Sequence, residues 1–240
     1  METKIEFKTL KEVKINRGIK ILSYGNFSTG KTHFALNSSK PVFIIDTENG
    51  APPLADKFPD ANVIQLSALD KENVEEKDEV KNFDNFINTI DALVAMPDEE
   101  VGTIIVDSIS DIWDWAQAYA KIKIFKIGIE ERLKQQWDWG VINKLYLKPL
   151  QKLINKNCNL ILTARESEVY DGPGNPSGRY TPKCQKKTPY WVDMVLYHQI
   201  KFINKQIQFS ARIDKCRHKG NIIGQIIQDP SLEKIEELLK

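Results

Sequence analysis

The stretch that decides the fold of this chain is Gly25-Asn26-Phe27-Ser28-Thr29-Gly30-Lys31-Thr32. It matches the pattern G-x-x-x-x-G-K-[ST], in which glycines allow backbone amides to turn inward around phosphate oxygens. The pattern carries this meaning only between a strand and a helix. Residues Ile19 to Tyr24 form a predicted strand before it, and Lys31 to Asn37 open a predicted helix after it. The sequence therefore predicts a phosphate-binding loop, and a chance glycine-rich turn is the alternative.

The residues of this loop have distinct expected roles. Lys31 neutralises phosphate charge, and the hydroxyl of Thr32 ligates Mg²⁺. The N-terminus of the following helix adds partial positive charge. His33 comes next in the chain and belongs to the predicted contact set. We expect the loop to bind a nucleoside triphosphate, with ATP and Mg²⁺ as the cofactors.

An acidic residue at the end of a neighbouring apolar strand completes such a site, because it holds the water shell of the metal. The run Thr103 to Asp107 is apolar through its middle and ends in aspartate. Asp107 is therefore the predicted carboxylate on the metal side. The alternative is a helix N-cap, or a strand-end aspartate with no metal role.

Hydrolysis also needs a group that orients or deprotonates the attacking water. The residue after Asp107 is Ser108, so the base must come from another strand end. Glu48, just beyond the apolar run Val42 to Asp46, is the first candidate, and Asp46 is its rival. Plain solvated carboxylates are the third alternative.

Short β-rich apolar runs alternate with longer helical patterns, which is typical of an α/β fold. Apolar residues from Phe83 to Val94 recur at helical spacing and predict a crossover helix. Ser231 is the predicted cap of a short last helix. Later predicted strands span residues 160–164, 192–202, 206–214 and 222–227. We expect a mostly parallel central sheet flanked by helices, with antiparallel strands at its C-terminal edge.

One stretch is predicted to be irregular. Residues 171–178, Asp-Gly-Pro-Gly-Asn-Pro-Ser-Gly, are rich in glycine and proline, which interrupt helices and strands. They predict a long loop inside a compact domain. Loops of that length are usually functional or mobile.

Composition limits the function only loosely. Net charge is +1, so an assignment to nucleic acid must depend on local clusters rather than on the total. The three cysteines show no C-x-x-C spacing and are expected to be free thiols in a reducing compartment. Without a signal-peptide pattern or a long apolar stretch, the sequence predicts a cytoplasmic protein with no membrane partner. We expect an N-terminal segment, residues 1–17, and one domain, residues 18–240.

Four segments taken together resemble the RecA-type ATPase core. They are Gly25 to Thr32, Ile-Ile-Asp-Thr-Glu ending at Glu48, Ile-Ile-Val-Asp-Ser around Asp107, and Leu-Ile-Leu-Thr-Ala-Arg ending at Arg165. The resemblance covers roughly residues 18 to 227, so the domain is interpreted as RecA-like. Within that superfamily the chain is similar to the small phage- and virus-type relatives of RecA, some of which act in single-strand annealing and recombination.

The resemblance implies roles for further residues. Glu48 matches the glutamate that activates water in the family. The family's fourth strand ends in a polar sensor of the γ-phosphate, often glutamine, and Arg165 or Glu166 stands at that position here. A DNA-binding loop follows the sensor in RecA proteins, and residues 166–190 match it in place.

The second half of that stretch is both basic and aromatic. Tyr180, Tyr190 and Trp191 stand among its cations, an arrangement suited to base stacking and phosphate contact. The predicted DNA-binding residues are Arg179, Lys183, Lys186 and Lys187. A solvated loop with incidental charges is the alternative.

RecA relatives also place a basic pair near a later strand, where it reaches the nucleotide of a neighbouring subunit. Lys215 and Arg217 match this pair in position and spacing, and as catalytic cations they would stabilise charge on the transferring phosphoryl group. The alternative is an edge strand whose alternate residues face water. Catalysis across an interface implies a homo-oligomer, a ring or a filament, although the family's N-terminal polymerisation segment has no convincing counterpart before Gly18.

The resemblance therefore implies a Mg²⁺-dependent ATPase that acts on single-stranded DNA in recombination, annealing or repair. A single-strand-binding protein is a candidate partner. The alternatives are a nucleic-acid motor, such as a packaging or helicase-type subunit, and a nucleotide-dependent switch without significant hydrolysis. A small-molecule kinase would need a substrate clamp or lid, whereas the long basic stretch stands where RecA proteins bind DNA.

Overall fold

In the computed structural model, which describes residues 17–66, 76–203 and 205–240, the strands of the chain form one sheet with helices on both faces. The strands are β1 (Lys20–Gly25), β2 (Val42–Asp46), β3 (Asn62–Gln65), β4 (Thr103–Asp107), β5 (Asn159–Gly172), β6 (Asn175–Pro182), β7 (Met194–Ile203), β8 (Gln206–Cys216) and β9 (Ile226–Gln228). The helices are α1 (Lys31–Leu36), α2 (Glu76–Ala95), α3 (Ile109–Tyr119), α4 (Asp138–Asn155), α5 (Thr188–Trp191) and α6 (Leu232–Leu239). A π-helical turn, Ala120–Phe125, extends α3.

The order across the sheet is β3-β2-β4-β5-β1-β7-β8-β9, and β6 pairs with β5 off this path. Every pairing from β3 through β7 along the path is parallel. The pairings of β7 with β8, β8 with β9, and β5 with β6 are antiparallel. The predicted α/β class is therefore confirmed, with its mostly parallel centre and antiparallel strands at the C-terminal edge.

The central strands separate two apolar cores. Both β1 and β4 are buried along their whole length. Successive side chains of a strand point to opposite faces. Leu22 and Ile104 accordingly pack with α2, α3 and α4, whereas Ile21 and Ile105 pack with α1 and α6. Burial on both faces explains the continuous apolar run Ile104 to Val106 in the middle of β4.

Most predicted elements lie where the patterns placed them. The boundaries of β1, β2, β4 and α1 agree to within one residue, and α2 contains the predicted crossover helix. The Oγ of Ser231 accepts the backbone N–H of Lys234, so it caps α6 as predicted. The short edge strand β3, exposed at all four residues, was not predicted. The strand predicted over 222–227 starts only at Ile226, because Gly224 has a left-handed φ of 87°.

The prediction of a long irregular loop is wrong, because β5 and β6 form a hairpin through this stretch. The paired part of the hairpin starts with Glu166 opposite Pro182. Pro176 is tolerated because β6 is an outer strand, where a missing N–H interrupts little of the ladder. The pairing skips from Val169 opposite Arg179 to Tyr170 opposite Pro176, which makes a bulge on β6. Glycine accommodates the positive φ that this bulge needs.

The register brings the ends of the parallel strands to one edge of the sheet. Gly25 at the end of β1 lies opposite Arg165 on β5 and His198 on β7. Asp46 at the end of β2 lies opposite Asp107 at the end of β4. In open α/β sheets this carboxyl edge is where ligands bind.

Two further expectations concern the N-terminal segment and membrane-spanning helices. Residues 1–16 of the predicted N-terminal segment lie outside the described residues. Among the helices of the described ranges, none combines the length and apolar character needed to cross a bilayer.

Candidate nucleotide site

Close approach of neighbouring elements explains the two glycines of the loop between β1 and α1. A Cβ at Gly25 would collide with the carbonyl oxygen of His198 on the adjacent strand. Gly30 has a φ of 84°, and a Cβ there would lie 3.2 Å from the ring of Phe209. A residue with a side chain would be strained at either position. The G-x-x-x-x-G spacing therefore has a steric cause in this chain.

Lys31 folds back over the loop that precedes it. Its Nζ donates to the carbonyl oxygens of Gly25 at 3.0 Å and Asn26 at 2.6 Å. Burial lowers the pKa of Lys31, while the negative charge of Asp107 opposes that shift. A phosphate oxygen is a stronger, charge-assisted partner for an ammonium than a neutral carbonyl. Lys31 is thus placed to exchange its loop contacts for phosphate.

Thr32 and Asp107 lie together at the ends of α1 and β4. Thr32 Oγ1 donates to Asp107 Oδ2 at 2.7 Å, and Thr163 Oγ1 donates to the other carboxylate oxygen. Burial raises the pKa of Asp107 to about 6, and the charges of Glu48 and Asp46 add to the rise against the two hydroxyl bonds. These carboxylates concentrate negative charge that a bound cation would compensate.

The donor set fits Mg²⁺ bound together with a nucleotide. Mg²⁺ is usually held by one or two protein oxygens, and substrate phosphates and water supply the remainder. Thr32 and Asp107 offer one hydroxyl and one carboxylate. Within the described part of the chain, no group of three or more His, Cys, Asp or Glu residues could hold a metal ion by itself.

The two candidate bases, Asp46 and Glu48, have different surroundings. Asp46 is fully buried and accepts the backbone N–H groups of Glu48 (3.2 Å), Gly50 (3.1 Å) and Ala51 (2.9 Å). It holds the turn after β2. The Glu48 side chain is 36% exposed and lines the same cavity as the loop. The geometry therefore favours Glu48.

A hydrogen-bonded network surrounds Glu48. Its Oε1 accepts from Ser108 Oγ and from Arg165 Nε, each at 2.8 Å. The Arg165 guanidinium also pairs with Asp111, whose second oxygen accepts from Thr47 Oγ1 at 2.6 Å. The sequence pattern did not single out Thr47 or Asp111. The sequence feature that could have identified them is position: Thr47 follows Asp46 at the end of β2, and Asp111 lies in the first turn of α3 after β4.

An open cavity of about 770 Å³ extends from the loop across the edge of the sheet. Its volume is typical of small-ligand sites. His33 and Glu48 line it, as do Phe209 of β8 and the segment 229–231 before α6. Those last two contributions were missed because their sequences carry no motif.

Two of the four predicted DNA-binding cations are engaged in ion pairs. Arg179 bonds to Asp171 across the hairpin at 2.6 Å, and Lys183 bonds to Asp114 of α3 at 2.8 Å. The other two are exposed residues just before α5, namely Lys186 and Lys187. The cluster is therefore divided between β6 and the turn that leads to α5.

Lys215 and Arg217 both contact α5 of their own chain. Lys215 Nζ donates to the carbonyl oxygens of Pro189 at 2.6 Å and Val192 at 2.7 Å. A guanidinium nitrogen of Arg217 donates to the carbonyl oxygen of Tyr190. Their predicted reach to a neighbouring subunit stays a prediction.

Comparison with known proteins agrees with this geometry. The AAA domain family matches residues 17–219. The solved structure of the RadB recombinase has a TM-score of 0.51 at 15% identity, covering 89% of this chain and 87% of that chain. A KaiC-like protein from the hyperthermophilic archaeon Pyrococcus horikoshii has a TM-score of 0.49 at 16% identity, covering 88% and 85%. A search of curated proteins gave no match. The chain thus belongs to the AAA domain family and has the RecA-like P-loop ATPase fold.

Proposed function

We propose that this protein binds ATP with Mg²⁺ and hydrolyses it, with Glu48 activating the attacking water. Convergence on one cavity carries this proposal: Lys31, the Thr32–Asp107 pair and Glu48 all line it. Membership of the AAA domain family supports the nucleotide part. The carboxylate of Glu48 lines the cavity and is 36% exposed, and this supports the hydrolytic part. Asp46, by contrast, is buried and accepts three backbone N–H groups.

Each residue would contribute a separate effect. Lys31 would give up its loop carbonyls and bind phosphate oxygens. Thr32 and Asp107 would hold Mg²⁺, which neutralises phosphate charge when bound. Glu48, from the cavity wall, would orient water and accept its proton.

Glu48→Gln tests the hydrolytic role. We expect ATP turnover to fall at least about 100-fold while ATP affinity changes less than about threefold, because the amide keeps the shape but not the basicity. Glu99→Gln, in a 3-10 turn before β4, is the matched control and should behave as wild type. Absence of turnover in the wild-type protein, or full turnover in Glu48→Gln, would contradict the assignment.

We further propose that the ATPase acts on single-stranded DNA, in recombination, annealing or repair, as a cytoplasmic homo-oligomer. Lys186 and Lys187 are exposed and are close in sequence to Tyr190, which is 71% exposed. The two lysines could contact phosphates while the tyrosine ring stacks on a base. The structure similar in fold at a TM-score of 0.51 is named a recombinase. We propose a single-strand-binding protein as the partner of this ATPase, and a relationship to the small phage-type relatives of RecA.

ATP turnover with single-stranded DNA, with duplex DNA and without DNA separates the alternatives. Stimulation by single strands of several-fold is the expected result. Stimulation by duplex alone would favour a nucleic-acid motor. ATP binding without turnover under all three conditions would favour a nucleotide-dependent switch.

A further inference from the structure

Arg165 has a main chain fixed beside the phosphate loop. It lies in register with Gly25 at the point where β5 leaves the central sheet for the hairpin. Its backbone N–H donates to Ser110 Oγ at 3.0 Å, and its carbonyl oxygen accepts the N–H of Lys183 at 2.7 Å. Arg165 is therefore held by α3 on one side and by the returning hairpin on the other.

The Arg165 guanidinium joins two carboxylates through two different nitrogens. Nε donates to Glu48 Oε1 at 2.8 Å, and a terminal nitrogen pairs with Asp111. Because the guanidinium is planar, the directions of these bonds are linked. Asp111 is 16% exposed and is itself fixed by Thr47 Oγ1. Because Asp111 holds one nitrogen of the Arg165 guanidinium in place, the direction of the hydrogen bond from Nε to Glu48 is constrained as well.

We propose that Arg165 is a positioning residue for Glu48, which holds that carboxylate at the wall of the nucleotide cavity. Glu48 lines the cavity, and Arg165 Nε contacts Glu48 directly, so Arg165 can act on the reaction through the position of that carboxylate. Ser108 Oγ donates to the same oxygen of Glu48 and restrains it from a second side. The inference rests on the proposed function, since it requires Glu48 to act on water.

Arg165→Ala should lower ATP turnover about 10- to 100-fold, because a misplaced catalytic group loses orientation even when it stays present. ATP affinity should change less than about threefold. Arg165→Lys keeps the charge but cannot span both carboxylates, so it should restore only part of the loss. Asp111→Asn leaves the arginine in place but weakens its anchor, and should give an intermediate loss.

The decisive measurement combines Arg165→Ala with Glu48→Gln. If Arg165 acts through Glu48, the double variant should turn over ATP no more slowly than Glu48→Gln alone. A merely structural role would lower turnover by the same factor in both backgrounds. Arg132→Ala, an exposed arginine between the π-helical turn and α4, is the matched control. Thermal unfolding of every variant shows whether it is folded.

Failure of the positioning role of Arg165 and failure of the hydrolytic role of Glu48 give different results. Loss of turnover in Glu48→Gln with wild-type turnover in Arg165→Ala and Asp111→Asn would overturn the positioning role alone. Higher turnover in Arg165→Ala would also overturn it, since the arginine would then restrain Glu48 from working. If Arg165→Ala does not fold, Asp111→Asn decides by the same criterion. Full turnover in Glu48→Gln would overturn both proposals.

Discussion

The nucleotide cavity and the basic stretch before α5 (residues 179–187) both contain several charged residues, but the partners of those charges differ. In the cavity, Lys31 is held by neutral oxygens of its own loop, and Asp107 is buried with a raised pKa next to other carboxylates. Near α5, Lys183 has a carboxylate partner and Lys215 caps carbonyl oxygens. Perturbed, converging charges indicate a ligand site, whereas cations with partners in their own chain have a structural explanation.

The largest effect should come from the cavity. Lys31→Ala should weaken ATP binding at least about 100-fold, or about 3 kcal/mol, because the charge-assisted phosphate contact is lost. Titration with a fluorescent ATP analogue measures it. Lys40→Ala, at an exposed surface ion pair with Asp60, is the control and should bind normally. If Lys31→Ala weakens ATP binding less than about threefold, the loop lysine is not a phosphate ligand and the cavity does not differ from the basic stretch in this respect.

An intermediate effect is expected at Lys215, and it concerns stability. Lys215→Ala should lower the free energy of unfolding by about 1–2 kcal/mol, because the carbonyl oxygens of Pro189 in α5 and of Val192 just after it lose a charged donor. Chemical denaturation measures the change, with Lys205→Ala in the β7–β8 turn as the control.

Mixing subunits tests whether Lys215 also acts across an interface. Lys215→Ala and Lys31→Ala subunits are combined, and ATP turnover is compared with that of each variant alone. No recovery is expected if Lys215 only supports α5. Recovery would assign the same residue a second role on the neighbouring nucleotide and would bring the two regions into one site.

The smallest effect should come from the exposed cations. Lys186→Ala with Lys187→Ala should weaken single-stranded DNA binding about 3- to 10-fold and reduce the salt slope by roughly one to two. Arg179→Ala with Lys183→Ala removes ion-paired cations and should weaken binding less. Binding isotherms at several salt concentrations check both. If both double variants lose the same amount of DNA affinity, the ion-paired cations and the pair Lys186 and Lys187 contribute equally to DNA binding.

The hairpin shows why sequence patterns failed in one region. Glycine and proline in residues 171–178 predict irregular structure, because both residues interrupt a strand that is paired on two sides. β6 instead pairs with β5 at the outside of the sheet, where Pro176 and a bulge are tolerated. Local composition does not reveal whether a strand is central or outer, and that difference decided the outcome.

Local patterns in the sequence were sufficient for the phosphate loop, the apolar strands and the strand-end position of Asp107. Each of these depends on neighbours a few residues apart, so chain order alone encodes it. The tertiary structure decided which carboxylate lines the cavity, because Asp46 is buried against backbone N–H groups whereas Glu48 is partly exposed at the cavity wall. It also placed Arg165 on Glu48 and Asp111, and Phe209 against Gly30. Those contacts join strands and helices that are far apart in the chain, and only the packing of the sheet brings them together.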